Sequence, residues 1–134
     1  MSKKSQDIKF GLEKEVVNES TIKSFFKCGN LTKTSKYGII DFYNSTHYIE
    51  LKSRRLNYND YPTTICGYNK IQYFDKLNRI CILVFSYLDG LYYINYNKEL
   101  FKQFEVKEEF IIRDGKKENK INIHIPIKYL NKII

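Results

Sequence analysis

The run "ICILVFSY", Ile80 to Tyr87, constrains this chain most. It is continuously apolar, has the length of a strand and shows no polar alternation, so it reads as a strand buried on both faces. Asp89-Gly90 follows as hairpin chemistry, and Leu91 to Tyr96 returns as the partner strand.

Gly11 to Phe26 has helical spacing: on a wheel of 100° per residue, Leu12, Val16, Ile22, Phe25 and Phe26 gather on one side and Val17 falls on the flank. Gly29-Asn30 marks the stop. Tyr37 to Tyr43 and Thr46 to Ser53 read as two strands about an Asn44-Ser45 turn. Residues 54–67 hold breakers and read as irregular, and Tyr68 to Asn78 reads as a second helix. Phe110 to Arg113 and Ile121 to Ile125 form an expected hairpin around Asp114-Gly115, and Pro126 starts an expected short terminal helix. The order helix, hairpin, helix, hairpin, hairpin, helix predicts an α/β or α+β fold, with helices flanking one mixed central sheet.

The chain has 134 residues, of which 43% are hydrophobic. That is enough for one domain, 1–134, with a core that needs neither disulfides nor structural metal. Cys28, Cys66 and Cys81 are odd in number and widely spaced, so they are expected to be free thiols in a reducing compartment. No run of 18 apolar residues occurs and the N-terminus lacks an apolar signal core, so a soluble, intracellular, non-secreted protein is expected, with no membrane partner. The net charge of +8 favours a polyanion, of which nucleic acid is the commonest. There is no glycine-rich phosphate loop, so no nucleotide cofactor is expected, and neither His47 nor His124 has a partner at zinc-ligand spacing.

The stretch "GIIDFYNSTHYIELKSRR" places two carboxylates and a lysine among strand-forming residues. Alternation puts Tyr48, Glu50 and Lys52 on one face, with Ile49 and Leu51 on the other. A two-residue loop sets Asp41 opposite Tyr48, and a four-residue loop sets it opposite Glu50. Both bring Asp41 to the Glu50 face, whereas a three-residue loop does not. Carboxylates that close repel each other unless a cation lies between them, and a hard ion such as Mg²⁺ suits carboxylate oxygens, a backbone carbonyl such as that of Leu51, and water. Mn²⁺ accepts the same ligands.

Asp41, Glu50 and Lys52 at this spacing resemble the D…ExK core of the PD-(D/E)xK nuclease superfamily. "GLEKEVV" resembles the Gly-x-x-x-Glu at the start of that fold's first helix, and "NKIQYFDKLNRICILVFSYLDGLYYI" resembles its second helix and the strands after it. The look is closest to the archaeal-type Holliday junction resolvases. The resemblance covers roughly Gly11 to Tyr96 and leaves out the hairpin and short helix of about 105–134. Ile40 stands where the family motif often has proline.

The resemblance implies a restriction-endonuclease-like αβββαβ core and a metal-dependent endodeoxyribonuclease. It implies Mg²⁺ held by Asp41, Glu50 and the Leu51 carbonyl, with Glu15 assisting and Lys52 positioning or activating the attacking water. Glu19 is the second choice for the helix acid, since Glu15 has the Gly-x-x-x-Glu spacing and Glu13 lies off the apolar face. Arg54, Arg55, Lys70 and Gln72 are the expected nucleic-acid contacts. A small chain leaves little room for a separate recognition domain, so the expected substrate is DNA of particular shape, such as a branched recombination or repair junction, cut by a homodimer. The alternatives are a restriction, homing or nicking endonuclease on linear duplex, and a non-catalytic nucleic-acid-binding protein that keeps the fold. RNA is a further possible substrate.

Overall fold

The computed structural model describes residues 2–36 and 39–134, with side chains throughout except at positions 7, 8, 10–17, 35, 36, 39 and 40. Helix α1 spans Lys3–Phe26. Strands β1 (Thr32–Lys36), β2 (Ile39–Tyr43) and β3 (His47–Ser53) follow as an antiparallel meander. Strand β4 (Thr63–Gly67) leads into helix α2 (Tyr68–Lys76), and β5 (Ile80–Tyr87) then runs parallel to β3. Strand β6 (Gly90–Asn95), a single turn α3 (Lys98–Phe101) and the hairpin of β7 (Glu105–Arg113) and β8 (Lys116–Pro126) complete most of the chain. A 3-10 turn at Ile127–Tyr129 precedes β9 (Asn131–Lys132).

The strands form a six-stranded mixed sheet in the order β1-β2-β3-β5-β6-β9 and a three-stranded sheet in the order β4-β8-β7. The fold is therefore mixed α+β with few helices. Among the described residues, no helix is long and apolar enough to cross a membrane.

The apolar run of β5 serves two cores. Ile82 and Val84 pack with Ile22 of α1 and with Phe42, Ile49 and Leu51, while Leu83 and Phe85 pack on the opposite face with Ile71 and Phe74 of α2 and with Ile123 and Ile125 of β8. Both faces of β5 lose water, and each fully buried large apolar side chain contributes about 1.5–3 kcal/mol. On the α1 side, the buried Asn18 amide donates to Ser86 Oγ at 2.9 Å, which fixes the helix on the sheet with a satisfied polar pair.

Several elements differ from the expectation. Helix α1 starts at Lys3, not Gly11, with Ser2 capping it by accepting from the Ser5 amide at 3.1 Å. The first turn, "KKSQ", carries no apolar period. The helix ends at Phe26 as expected, but through Lys27 in the left-handed conformation (φ 48°) and not through Gly29-Asn30. Phe25 is 43% exposed, with ring contacts to Phe26 and Tyr93. Leu12, Val16 and Val17 lie outside the described side chains, and Tyr37 lies outside the described residues.

The segment read as irregular contains β4, whose pairing with β8 overrides the nearby breakers. Strand β1 is likewise an addition, paired with β2. The hairpin at Asp114-Gly115 is much longer than expected. Its two turn residues both have positive φ (54° and 75°), the conformation that Asp-Gly favours. The expected terminal helix reduces to the 3-10 turn, because Asn131 and Lys132 pair with Tyr93 and Tyr92 instead.

Candidate active site

The β2–β3 hairpin sets Asp41 directly opposite Glu50 and Tyr43 opposite Tyr48, so the four-residue loop is the register adopted. Asn44 selects it. Its Oδ1 accepts from the amides of Thr46 (2.9 Å) and His47 (2.7 Å), and its own amide donates to the His47 carbonyl at 3.0 Å. Direct cross-strand neighbours have Cβ atoms about 4.5–5.5 Å apart, so the two carboxylates share one patch of the sheet.

Glu50 is fully buried in a strand paired on both sides. Neither of its oxygens accepts a hydrogen bond, and Asp41 Oδ1 is also buried without a donor. Asp41 Oδ2 accepts from the Tyr48 hydroxyl at 2.7 Å. Two ammonium groups flank Glu50 Oε1: Lys52 Nζ at 3.9 Å from the same strand and Lys70 Nζ at 3.6 Å from the first turn of α2. Burial pushes the Glu50 carboxyl above the usual range, and Asp41 adds to that, while Lys52 and Lys70 oppose it without prevailing. Burial and the carboxylate it serves likewise raise Tyr48, which stays a hydrogen-bond donor at any ordinary pH.

Three buried, donorless carboxylate oxygens on adjacent strands are costly as they stand, since each unsatisfied buried polar atom costs about 1–3 kcal/mol and more when charged. A hard divalent cation would satisfy them. Mg²⁺ in particular is commonly held by one or two carboxylates, with water and substrate phosphate completing its shell. Asp41 and Glu50 therefore fit such an ion. Among the described residues, no group of three or more His, Cys, Asp or Glu side chains gathers. The Glu15 and Glu13 side chains lie outside the described set. Glu19 is paired with Lys23 at 3.1 Å and Lys33 at 3.8 Å. The Leu51 side chain points into the α1-side core, and its backbone sits between β2 and β5.

Beside the cluster lies a groove of about 1190 Å³. Lys52, Lys70 and Gln72 line it from the main sheet and α2, and Ile65, Glu109 and His124 line it from the second sheet. This exceeds the roughly 300–1,000 Å³ of a small-molecule pocket and suits an extended ligand. Arg54, expected to contact nucleic acid, donates to the Ile65 carbonyl at 2.6 Å, which ties the end of β3 to β4, and lines the groove. Arg55 and Gln72 are exposed. His124 faces away from Ile123 and Ile125 as alternation requires, and it meets Glu109 at 2.7 Å. Burial raises the Glu109 carboxyl, but the bonds with His124 and Asn122 outweigh that and hold it below the usual range. Burial pushes the Cys66 and Cys81 thiols up to about 11, so neither is a thiolate nucleophile at neutral pH.

Sequence reasoning missed two contacts. Tyr48 was placed on the carboxylate face without a role, although alternation already set it within diagonal reach of Asp41. Lys70 was assigned to nucleic acid, and its approach to Glu50 depends on how α2 packs across β3, which has no local signature. Searches with family models, of curated proteins and of solved structures return no match to this chain.

Proposed function

We propose that this chain is a divalent-metal-dependent DNA endonuclease of PD-(D/E)xK type that hydrolyses phosphodiester bonds in branched DNA. One observation carries the reading: Asp41 and Glu50 face each other with three buried oxygens lacking donors, and the Lys52 ammonium stands 3.9 Å from Glu50. The element order supports it, since α1-β1-β2-β3-α2-β5, with β4 interposed, follows the αβββαβ order that the resemblance implies. The +8 charge and the groove beside Lys52 and Lys70 suit a polyanionic polymer.

In this reading Asp41 and Glu50 hold the cation, joined by the Leu51 carbonyl and Glu15 as the resemblance implies. When bound, Mg²⁺ or Mn²⁺ supplies Lewis-acid polarisation of the phosphate and a more acidic water. Tyr48 fixes the Asp41 carboxylate by binding one oxygen and leaves the other for the cation. Glu50 must give up any proton it holds before it can act as a ligand, so its raised pKa couples metal uptake to proton release. Lys52 then orients the nucleophile and stabilises charge growing on the phosphate. Lys70 and Gln72 meet the DNA backbone along the groove, with Arg55 beyond them.

The test is cleavage of labelled four-way junction, flap, nicked and linear duplex DNA with Mg²⁺, Mn²⁺ or chelator, beside Lys52→Ala and Glu50→Ala. The expected result is metal-dependent cutting of the junction that is lost in both variants. Cutting of linear duplex alone would replace the junction with a sequence-specific substrate. Tight binding with no cutting under either metal would leave a nucleic-acid-binding module.

A further inference from the structure

The second sheet ends on an open strand. In the order β4-β8-β7, β7 pairs among the described residues with β8 on one side only, and its outer half carries "FII", Phe110 to Ile112, at 61%, 44% and 66% exposure. The charges that keep an edge strand from pairing, Glu105, Lys107, Glu108 and Glu109, occupy its first half, and none interrupts Phe110–Ile112. Ile121 of β8 adds 53% exposure on the side that Phe110 and Ile112 share.

We propose that a second copy of this chain docks on this edge, β7 against β7, about a two-fold axis through Ile111. The strand itself selects the partner and the register. Residues directly opposite in an antiparallel pair lie on the same face, so a two-fold perpendicular to the sheet must set one residue opposite itself. Within Glu105–Arg113, five axis positions overlap five or more strand residues, those at 107 through 111. An axis at Lys107 opposes two lysines and sets Glu105 against Glu109. Axes at Glu108 and Glu109 oppose like carboxylates, and an axis at Phe110 sets Lys107 against Arg113. Only the axis at Ile111 brings no like charges opposite each other. It sets Ile111 against Ile111, Phe110 against Ile112 twice, and Glu109, already held by His124, opposite Arg113, already held by Glu118. The two hairpins then join in one continuous sheet, with an apolar patch formed by Phe110, Ile112 and Ile121 from both copies. This interface depends on the hairpin alone and not on the nuclease reading, so the cleavage assay and the mass measurement fail independently.

The test is light scattering on the intact chain across a dilution series, with Phe110→Lys and Ile112→Glu. The expected mass is twice the 16.1 kDa chain. Both substituted side chains are mostly exposed, and each substitution is expected to weaken dimerisation by roughly tenfold or more, because symmetry applies it twice. The two variants mixed together are expected to form the heterodimer, in which the new lysine faces the new glutamate while the native Phe110–Ile112 pair remains. If either variant fails to fold, Ile111→Cys with a short thiol–thiol crosslinker must yield a covalent dimer that the wild-type chain, with its own three cysteines, does not. A monomer at every concentration, a dimer unaffected by either substitution, a mixture that stays monomeric, or no crosslink through position 111 would each overturn the proposal.

Discussion

Glu50→Gln separates a cation site from a structural ion pair. Glu50 is fully buried, neither oxygen has a donor, and its carboxyl is displaced upward despite two lysines within 4 Å. The protein without metal therefore disfavours the charge on balance. Glutamine keeps the shape, removes the charge and supplies an amide donor beside Asp41. Relieving buried acceptors without donors returns roughly 1–3 kcal/mol. At about 2.1 cal/mol/K of unfolding entropy per residue, a chain of 134 residues gains about 3–4 °C in Tm per kcal/mol. In chelator, the variant should thus melt about 4–10 °C above the wild type. In Mg²⁺ the gap should close or reverse: free ion at about a hundred times its Kd adds about 2.7 kcal/mol, near 10 °C, to the wild type and little to the variant. Differential scanning calorimetry in chelator and in graded Mg²⁺ reads both effects. A variant that melts below the wild type in chelator would show that Glu50 stabilises the fold through Lys52 and Lys70, and the cation-site argument would fail with it.

The same carboxyl sets a pH signature. Because its folded pKa is raised, Glu50 favours the folded state below the unfolded value of about 4.3, and that contribution is lost as pH rises toward the folded value. The stability difference between Glu50→Gln and wild type in chelator should accordingly be small at low pH and grow with pH, which chemical denaturation at several pH values measures. Tyr48→Phe should leave the fold intact but weaken Mg²⁺ binding by about 10–100-fold, read by calorimetric titration, because Asp41 loses the hydroxyl that fixes it. Ile125→Ala, at a fully buried site where β8 meets β4, should destabilise by about 2–5 kcal/mol in urea denaturation.

Local patterns announced the elements that depend on their own residues. The β5 run, the β6 return and the α2 spacing were recognisable because each carries its apolar period within a single turn or strand. Convergence of Asp41 with Glu50 followed from alternation alone, but two registers remained, and the choice rested on the Asn44 side chain reaching two amides in its own loop. Strands β1 and β4, "TKTSK" and "TTICG", were not recognisable. Neither has enough apolar alternation to be a strand unaided, and each exists because a distant partner offers its edge. The terminal helix expected from Pro126 is absent for the converse reason, since its helical spacing yields to the pairing of Asn131 and Lys132 with β6. Lys70 reads as a nucleic-acid contact and not as a neighbour of Glu50, because nothing along α2 encodes which strand lies beneath it.

The pairing of β4 with β8 also bears on the order in which a nascent chain can assemble. By Asn95 a ribosome has delivered every strand of the six-stranded sheet except β9, together with Asp41, Tyr48, Glu50, Lys52 and Lys70. Thr63 must wait for Pro126, and Gly67 for Asn122, before β4 has a neighbour. Contacts so far apart in sequence close late and slow folding. The part of the groove wall built from β7 and β8 is thus synthesised after the acid–lysine cluster, which is complete in sequence before that surface has been made.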